Sequence, residues 1–159
     1  MIQNLKKSAE KVQAALDAFG LDLQVVELSD STRTAQEAAD AIGCTVAQIA
    51  KTLIFKGKTL QQPVLIMASG TNRVNEKAVQ ERINEELEKA DADFVLEHTG
   101  FAIGGVPPVG HKKPITTYID QDLMQYEEIW AAAGTPHAVF KLTPRILAEI
   151  TKGEVIKIK

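Results

Sequence analysis

Apolar positions mark out the elements. Over residues 4–19, Leu5, Ala9, Val12 and Leu16 recur at helical spacing, and Gly20 supplies a stop. Residues 23–28 (LQVVEL) read as a strand. Thr34 with Glu37 and Thr45 with Gln48 each fit a capping box, so two short helices are expected across 35–50, separated by Gly43. Strands are expected over 51–56 and 63–68, joined by a turn around Gly57. Asn75 can cap a charged helix running to about Lys89, and 93–98 reads as a short helix ending near Gly100. A glycine- and proline-rich loop then fills 104–114. Strands over 115–119, 129–132 and 138–142 follow. Asp120 and Asp122 look like a helix-start pair before Leu123. Thr143 and Pro144 open a helix to about Thr151, and 155–158 reads as a last strand.

Helices and strands alternate without a regular βαβ period, and several strands follow one another across short links. The expected class is α+β: one domain over residues 1–159, with a mixed, mainly antiparallel sheet surrounded by helices.

Composition narrows the class of protein. With 159 residues, 45% hydrophobic and 25% charged, the chain suits a single globular core. No apolar run approaches the roughly 20 residues of a membrane span. Cys44 is the lone cysteine, and the amino terminus lacks the apolar segment of a secretory signal, so a cytoplasmic location is expected. The net charge of −3 argues against a protein that coats nucleic acid, DNA included, but allows one that grips an RNA end through a few local cations.

Two features carry candidate chemistry. Alternation along 51–55 puts Lys51 on the same strand face as Leu53 and Phe55. A lysine there either snorkels to water along its own stem or awaits an anion. The second feature is the loop from Gly104 to His111. Its glycines let a ligand approach bare backbone, and Pro107 and Pro108 stiffen it. It is either a tight crossover or a cradle whose amides stabilise an oxyanion. It lacks the glycine spacing of nucleotide-phosphate loops. His98, His111 and His137 are too scattered to suggest a metal site, and no metal or other cofactor is expected. Cys44 reads as a small buried filler, with a thiol-dependent activity as its alternative.

Taken in order, the motifs resemble a known family. They are R-T-A-x-E-A-A over 33–39, I-A-K-T-L-I-F over 49–55, N-R-V from Asn72, G-G-V-P-P-V-G-H-K-K over 104–113, I-D at Ile119 and Asp120, and A-A-G-T-P over 132–136. This order is similar to that of the YbaK-like aminoacyl-tRNA editing family, which includes prolyl-tRNA editing proteins and the editing domain inserted in some prolyl-tRNA synthetases.

The resemblance implies a curved sheet and hydrolysis of the ester between a wrong amino acid and the terminal adenosine of tRNA, most naturally tRNA-Pro carrying alanine, cysteine, serine or 2-aminobutyrate. It makes Lys51, Gly104 and Gly105 the catalytic set. It places Thr34, Val106, Pro107, Pro108, Gly134 and Thr135 around the aminoacyl group, with Arg73, His111, Lys112 and Lys113 as tRNA contacts. Asp120 matches a family position without an assigned role. The implied partners are the acceptor end of an aminoacyl-tRNA and a prolyl-tRNA synthetase. The alternative is a non-catalytic binding module that uses the same pocket for a small metabolite or a synthetase partner.

Overall fold

The computed structural model describes residues 6–159, so the expected helix start at Asn4 and Leu5 lies outside the described residues. Eight strands form one sheet in the order β1-β7-β6-β2-β3-β5-β8, with β4 paired to β2 beside that path. The strands are β1 (Val25–Glu27), β2 (Ile49–Gly57), β3 (Pro63–Ser69), β4 (Leu87–Lys89), β5 (Thr116–Asp120), β6 (Ile129–Ala132), β7 (Ala138–Leu142) and β8 (Glu154–Ile156). The pairings β1·β7, β2·β3, β2·β4 and β6·β7 are antiparallel, whereas β2·β6, β3·β5 and β5·β8 are parallel. The sheet is thus mixed with an antiparallel majority.

Among the described residues five α-helices cover it: α1 (Lys7–Ala18), α2 (Ala35–Ile42), α3 (Glu76–Ile83), α4 (Ala92–Thr99) and α5 (Pro144–Thr151). The larger core cluster takes Val12 and Leu16 of α1, Val95 of α4 and Leu147 of α5, together with Phe101 after α4 and Val106 of the glycine loop. On the other face, Val79 of α3 packs with Val64 and Ile66, and Ala38 and Ala39 of α2 pack on Ile49. Alternation along β2 divides it between these layers. Ala50 and Ile54 turn to the larger cluster, while Ile49, Leu53 and Phe55 turn to the smaller ones.

The caps fall where the side chains allow them. Thr34, Asn75, Asp91 and Thr143 each accept a backbone N–H three residues on. Two expectations are corrected. The Thr45–Gln48 capping box is present, but it opens a single 3₁₀ turn over Val46–Gln48, because β2 begins already at Ile49. The charged helix from Asn75 stops at Ile83, where Asn84 takes the left-handed conformation that ends it, and residues 87–89 pair with β2 instead of extending the helix. The Asp120–Asp122 pair opens a helix before Leu123 as expected, a 3₁₀ segment over Gln121–Gln125 in which Asp120 accepts the Asp122 N–H. No helix among the described residues is long and apolar enough to cross a membrane.

Candidate functional site

The candidate site forms where β2 lacks a neighbour. β3 runs beside β2 from Ala50 to Lys56. On the opposite edge, β6 reaches only Ile49 and Ala50, and β4 only Phe55 to Gly57. Residues 51–54 have a strand on one side alone, and they line a cleft of about 540 Å³. This is why residues 51–54 of so apolar a strand are only half-buried. The other walls come from Thr34 and Ala38 at the start of α2, from Gly104, Gly105 and Val106 of the loop, and from Ala131 and Ala132 of β6.

Lys51 shares a face with Leu53 and Phe55, as alternation predicts. Its Nζ donates to the main-chain oxygen of Asn72 at 2.8 Å. Burial against the sheet pushes the Lys51 pKa below the ordinary lysine value, the neighbouring Arg73 pushes it the same way, and Asp120 opposes both. The carbonyl it meets is held firmly. Asn72 Nδ2 donates to Asp120 Oδ2 and Asp122 Oδ2, each at 2.8 Å, and its own N–H reaches Ser69 at 2.9 Å. Asp120 is 1% exposed and also accepts the N–H groups of Ser69 and Asp122. Its role is thereby visible: at the end of β5, it anchors the turn that carries Lys51's partner.

The glycine loop is fixed by close backbone contact. A Cβ at Gly105 would stand 2.8 Å from the main chain of Thr135, so only glycine allows this approach. Gly134, at φ +98°, donates its N–H to the Gly105 carbonyl at 2.8 Å and locks the two segments together. The Gly105 N–H spends itself on a long 3.3 Å turn bond to Ala102. Among the described residues, the Val106 N–H meets no protein acceptor. Pro107 and Pro108 are buried. The Pro107 carbonyl accepts from His111 Nε2 at 2.6 Å, which places the proton on that nitrogen. Burial lowers the His111 pKa, with that hydrogen bond opposing.

The expected site residues therefore divide. Lys51, Thr34, Gly104, Gly105 and Val106 line the cleft. Pro107, Pro108, Gly134, Thr135 and His111 lie outside its lining, and Gly134, Thr135, Pro107 and His111 make the contacts that brace the loop. Arg73 is exposed and acts on Lys51 through charge, while Lys112 and Lys113 are exposed and outside the cleft lining. Among the polar lining residues that sequence reasoning passed over are Arg33, Lys89 and Thr52. Arg33 heads the R-T-A motif, and its side chain lies against Gly104, within 3.1 Å of where a Cβ would stand. Cys44 lies among the hydrophobic side chains of the α2 layer, outside the cleft lining, and burial pushes its thiol up, away from the thiolate a nucleophile requires.

Comparison with known proteins gives the family. Residues 29–150 match the profile of the aminoacyl-tRNA editing domain, and the chain belongs to that family. It is 30% identical to YwhH of Bacillus subtilis, an uncharacterized protein, over 93% of this chain and 94% of that one. It is 27% identical to EbsC of Enterococcus faecalis, named as a candidate Cys-tRNA(Pro)/Cys-tRNA(Cys) deacylase, over 82% of this chain and 79% of that one. A solved structure described as a candidate trans-editing enzyme for prolyl-tRNA synthetase superposes with a TM-score of 0.93. It is 46% identical and covers 98% of this chain and 99% of that one.

Proposed function

We propose that this chain is an aminoacyl-tRNA deacylase acting in trans, which hydrolyses the ester that joins a small amino acid to the terminal adenosine of tRNA-Pro. The observation that carries the reading is the meeting of Lys51 and the glycine loop in one cleft at the open edge of β2. The cleft volume suits an aminoacyl nucleoside. Its apolar part, with Ala50, Val106 and Ala131, suits a short side chain.

In this reading water adds to the ester carbonyl, the bond to the ribose oxygen breaks, and free amino acid leaves. Lys51 supplies positive charge beside the tRNA end. The Val106 N–H, still without an acceptor, is the loop's donor to the developing oxyanion. The chemistry is undemanding because the ester is already activated. What the protein supplies is selection. A synthetase pocket gains only about 1–3 kcal/mol of discrimination from one methylene, so a second, size-limited site removes the errors that remain. The RNA is held locally, by Arg33 and Lys89 at the cleft, which fits a net charge of −3. A prolyl-tRNA synthetase is the natural source of the substrate, and the cytoplasm its compartment. Single-turnover deacylation of Ala-tRNA-Pro against Pro-tRNA-Pro tests this: the first is cleared and the second spared, whereas equal resistance of both contradicts it.

A further inference from the structure

The open edge of β2 has a chemistry of its own. In an antiparallel pair, each residue directs its N–H and C=O to the same side, and successive residues alternate. The Gly57 N–H donates to Gln62, and the Gln61 N–H donates to Gly57, so Gly57 faces β3. The β2·β3 register keeps a constant offset from Ala50 to Lys56, without a bulge. Residues 51, 53 and 55 therefore also face β3, and 52, 54 and 56 face the other edge. The Lys58 N–H donates to Glu86, beside β4, as this parity requires. Thr52 is the residue that faces outward in the gap between the reach of β6 and that of β4, and it lines the cleft. Among the described residues, neither its N–H nor its C=O has a hydrogen-bond partner outside the strand ladders, and no strand pairs there. Its side chain is engaged elsewhere, donating to Met67 Sδ at 3.4 Å.

A donor and an acceptor on one residue of a strand edge are complementary to a donor and an acceptor on one residue of a partner. That is the hydrogen-bonded pair of an antiparallel ladder. An aminoacyl ester offers both groups, an α-ammonium and a carbonyl on one residue. We propose that the aminoacyl group binds as a single added residue of the sheet: its α-ammonium donates to the Thr52 carbonyl, and its ester carbonyl accepts from the Thr52 N–H. This rests on the deacylase reading above and goes beyond it. Pairing of this kind sets the substrate side chain on the same face as that of Thr52, the face of Ala50, Ala131 and Val106. It also gives the oxyanion a second main-chain donor besides Val106, and it makes the free α-amine a requirement of the site.

The test compares Ala-tRNA-Pro with propionyl-tRNA-Pro, which lacks the α-amine, using the wild-type chain and Thr52→Pro. Proline removes the N–H that faces the gap, together with the side-chain bond to Met67 Sδ, and leaves the main-chain pairing with β3 intact, a position at which strands tolerate it. Loss of the α-amine is expected to slow wild-type deacylation by about 10²-fold, each rate taken relative to that ester's uncatalysed hydrolysis, and folded Thr52→Pro to lose a similar factor on Ala-tRNA-Pro, the usual cost of one oxyanion donor. Equal relative rates on the two esters, or full activity of folded Thr52→Pro, overturn the proposal while leaving the deacylase reading standing. Inactivity of the wild type on both esters removes that reading instead. Should Thr52→Pro not fold, the amide resonance of Thr52 in the wild type decides. On addition of 3′-alanylamido-adenosine it is expected to move downfield, and an unmoved Thr52 amide beside shifted loop amides overturns the pairing.

Discussion

Lys51 Nζ and the main-chain oxygen of Asn72 stand 2.8 Å apart, and the position of that oxygen is set by a carboxylate that never touches the lysine, Asp120. Asp120 bonds the side chain of Asn72 and the N–H of Ser69, so the end of β5 governs the direction of a lysine on β2. Replacing Asp120 with Ala leaves several buried donors alone, each at a cost of about 1–3 kcal/mol. Asp120→Asn is milder and removes the charge that raises the Lys51 pKa. The expected result is a Lys51 pKa lower still in Asp120→Asn, and a higher one in Arg73→Gln, read by ¹⁵N titration of Nζ.

His111 gives a pH dependence with a definite sign. Its folded pKa lies below 6.5, so the unfolded chain binds the proton more readily. The stability that comes from neutral His111 is fully present above that value and is lost as pH falls through the lower folded pKa. Denaturant unfolding between pH 7 and pH 5 is expected to show a steeper loss for the wild type than for His111→Gln. Equal slopes would contradict the assignment.

The loop glycines are expected to differ in kind. Gly105→Ala drives a Cβ into the rigid main chain of Thr135, whereas Gly104→Ala meets only the flexible Arg33 side chain at a left-handed φ of +102°. Overpacking costs about 1–3 kcal/mol and displaces backbone. Gly105→Ala is expected to abolish deacylation and lower the melting temperature, with Gly104→Ala less harmful in both.

RNA contact should reside at the cleft and not along the basic tail of the loop. Arg33→Ala is expected to weaken tRNA binding and flatten its salt dependence by about one unit of slope, the share of one phosphate contact. Lys112→Ala with Lys113→Ala is expected to change little, since both residues lie outside the cleft lining. Filter binding across a salt series measures both.

Much of this was legible in the chain itself, and the misses share a cause. Caps at Thr34, Asn75 and Thr143 are local signals, and they hold. Lys51 on the face of Leu53 and Phe55 follows from alternation alone. The three residues of β4, Leu-Glu-Lys, carry no alternation to distinguish them from the end of the charged helix, so only their pairing with β2 makes them a strand. The site was half legible for a related reason. Motifs name Lys51 and the glycine loop, but the place where they meet depends on how far β6 and β4 reach along β2, which is a property of distant pairings. Thr52 carries no motif signal for its role, because that role lies in its main chain. Arg33 and Lys89 join the cleft through packing that no spacing encodes. Conversely, Pro107, Pro108 and Gly134 stand out in the sequence through demands of backbone geometry, and the structure sets them behind the wall.

The most direct measurement of the central claim is deacylation of tRNA-Pro charged in turn with alanine, cysteine, serine, 2-aminobutyrate and proline, by wild type, Lys51→Ala and Lys51→Arg, with each variant's fold checked by circular dichroism. The account predicts that wild type clears at least one small aminoacyl species, spares proline, and loses that activity in folded Lys51→Ala. Clearance by Lys51→Ala at the wild-type rate would contradict the role of Lys51, and no clearance of any species by the wild type would contradict the deacylase reading itself.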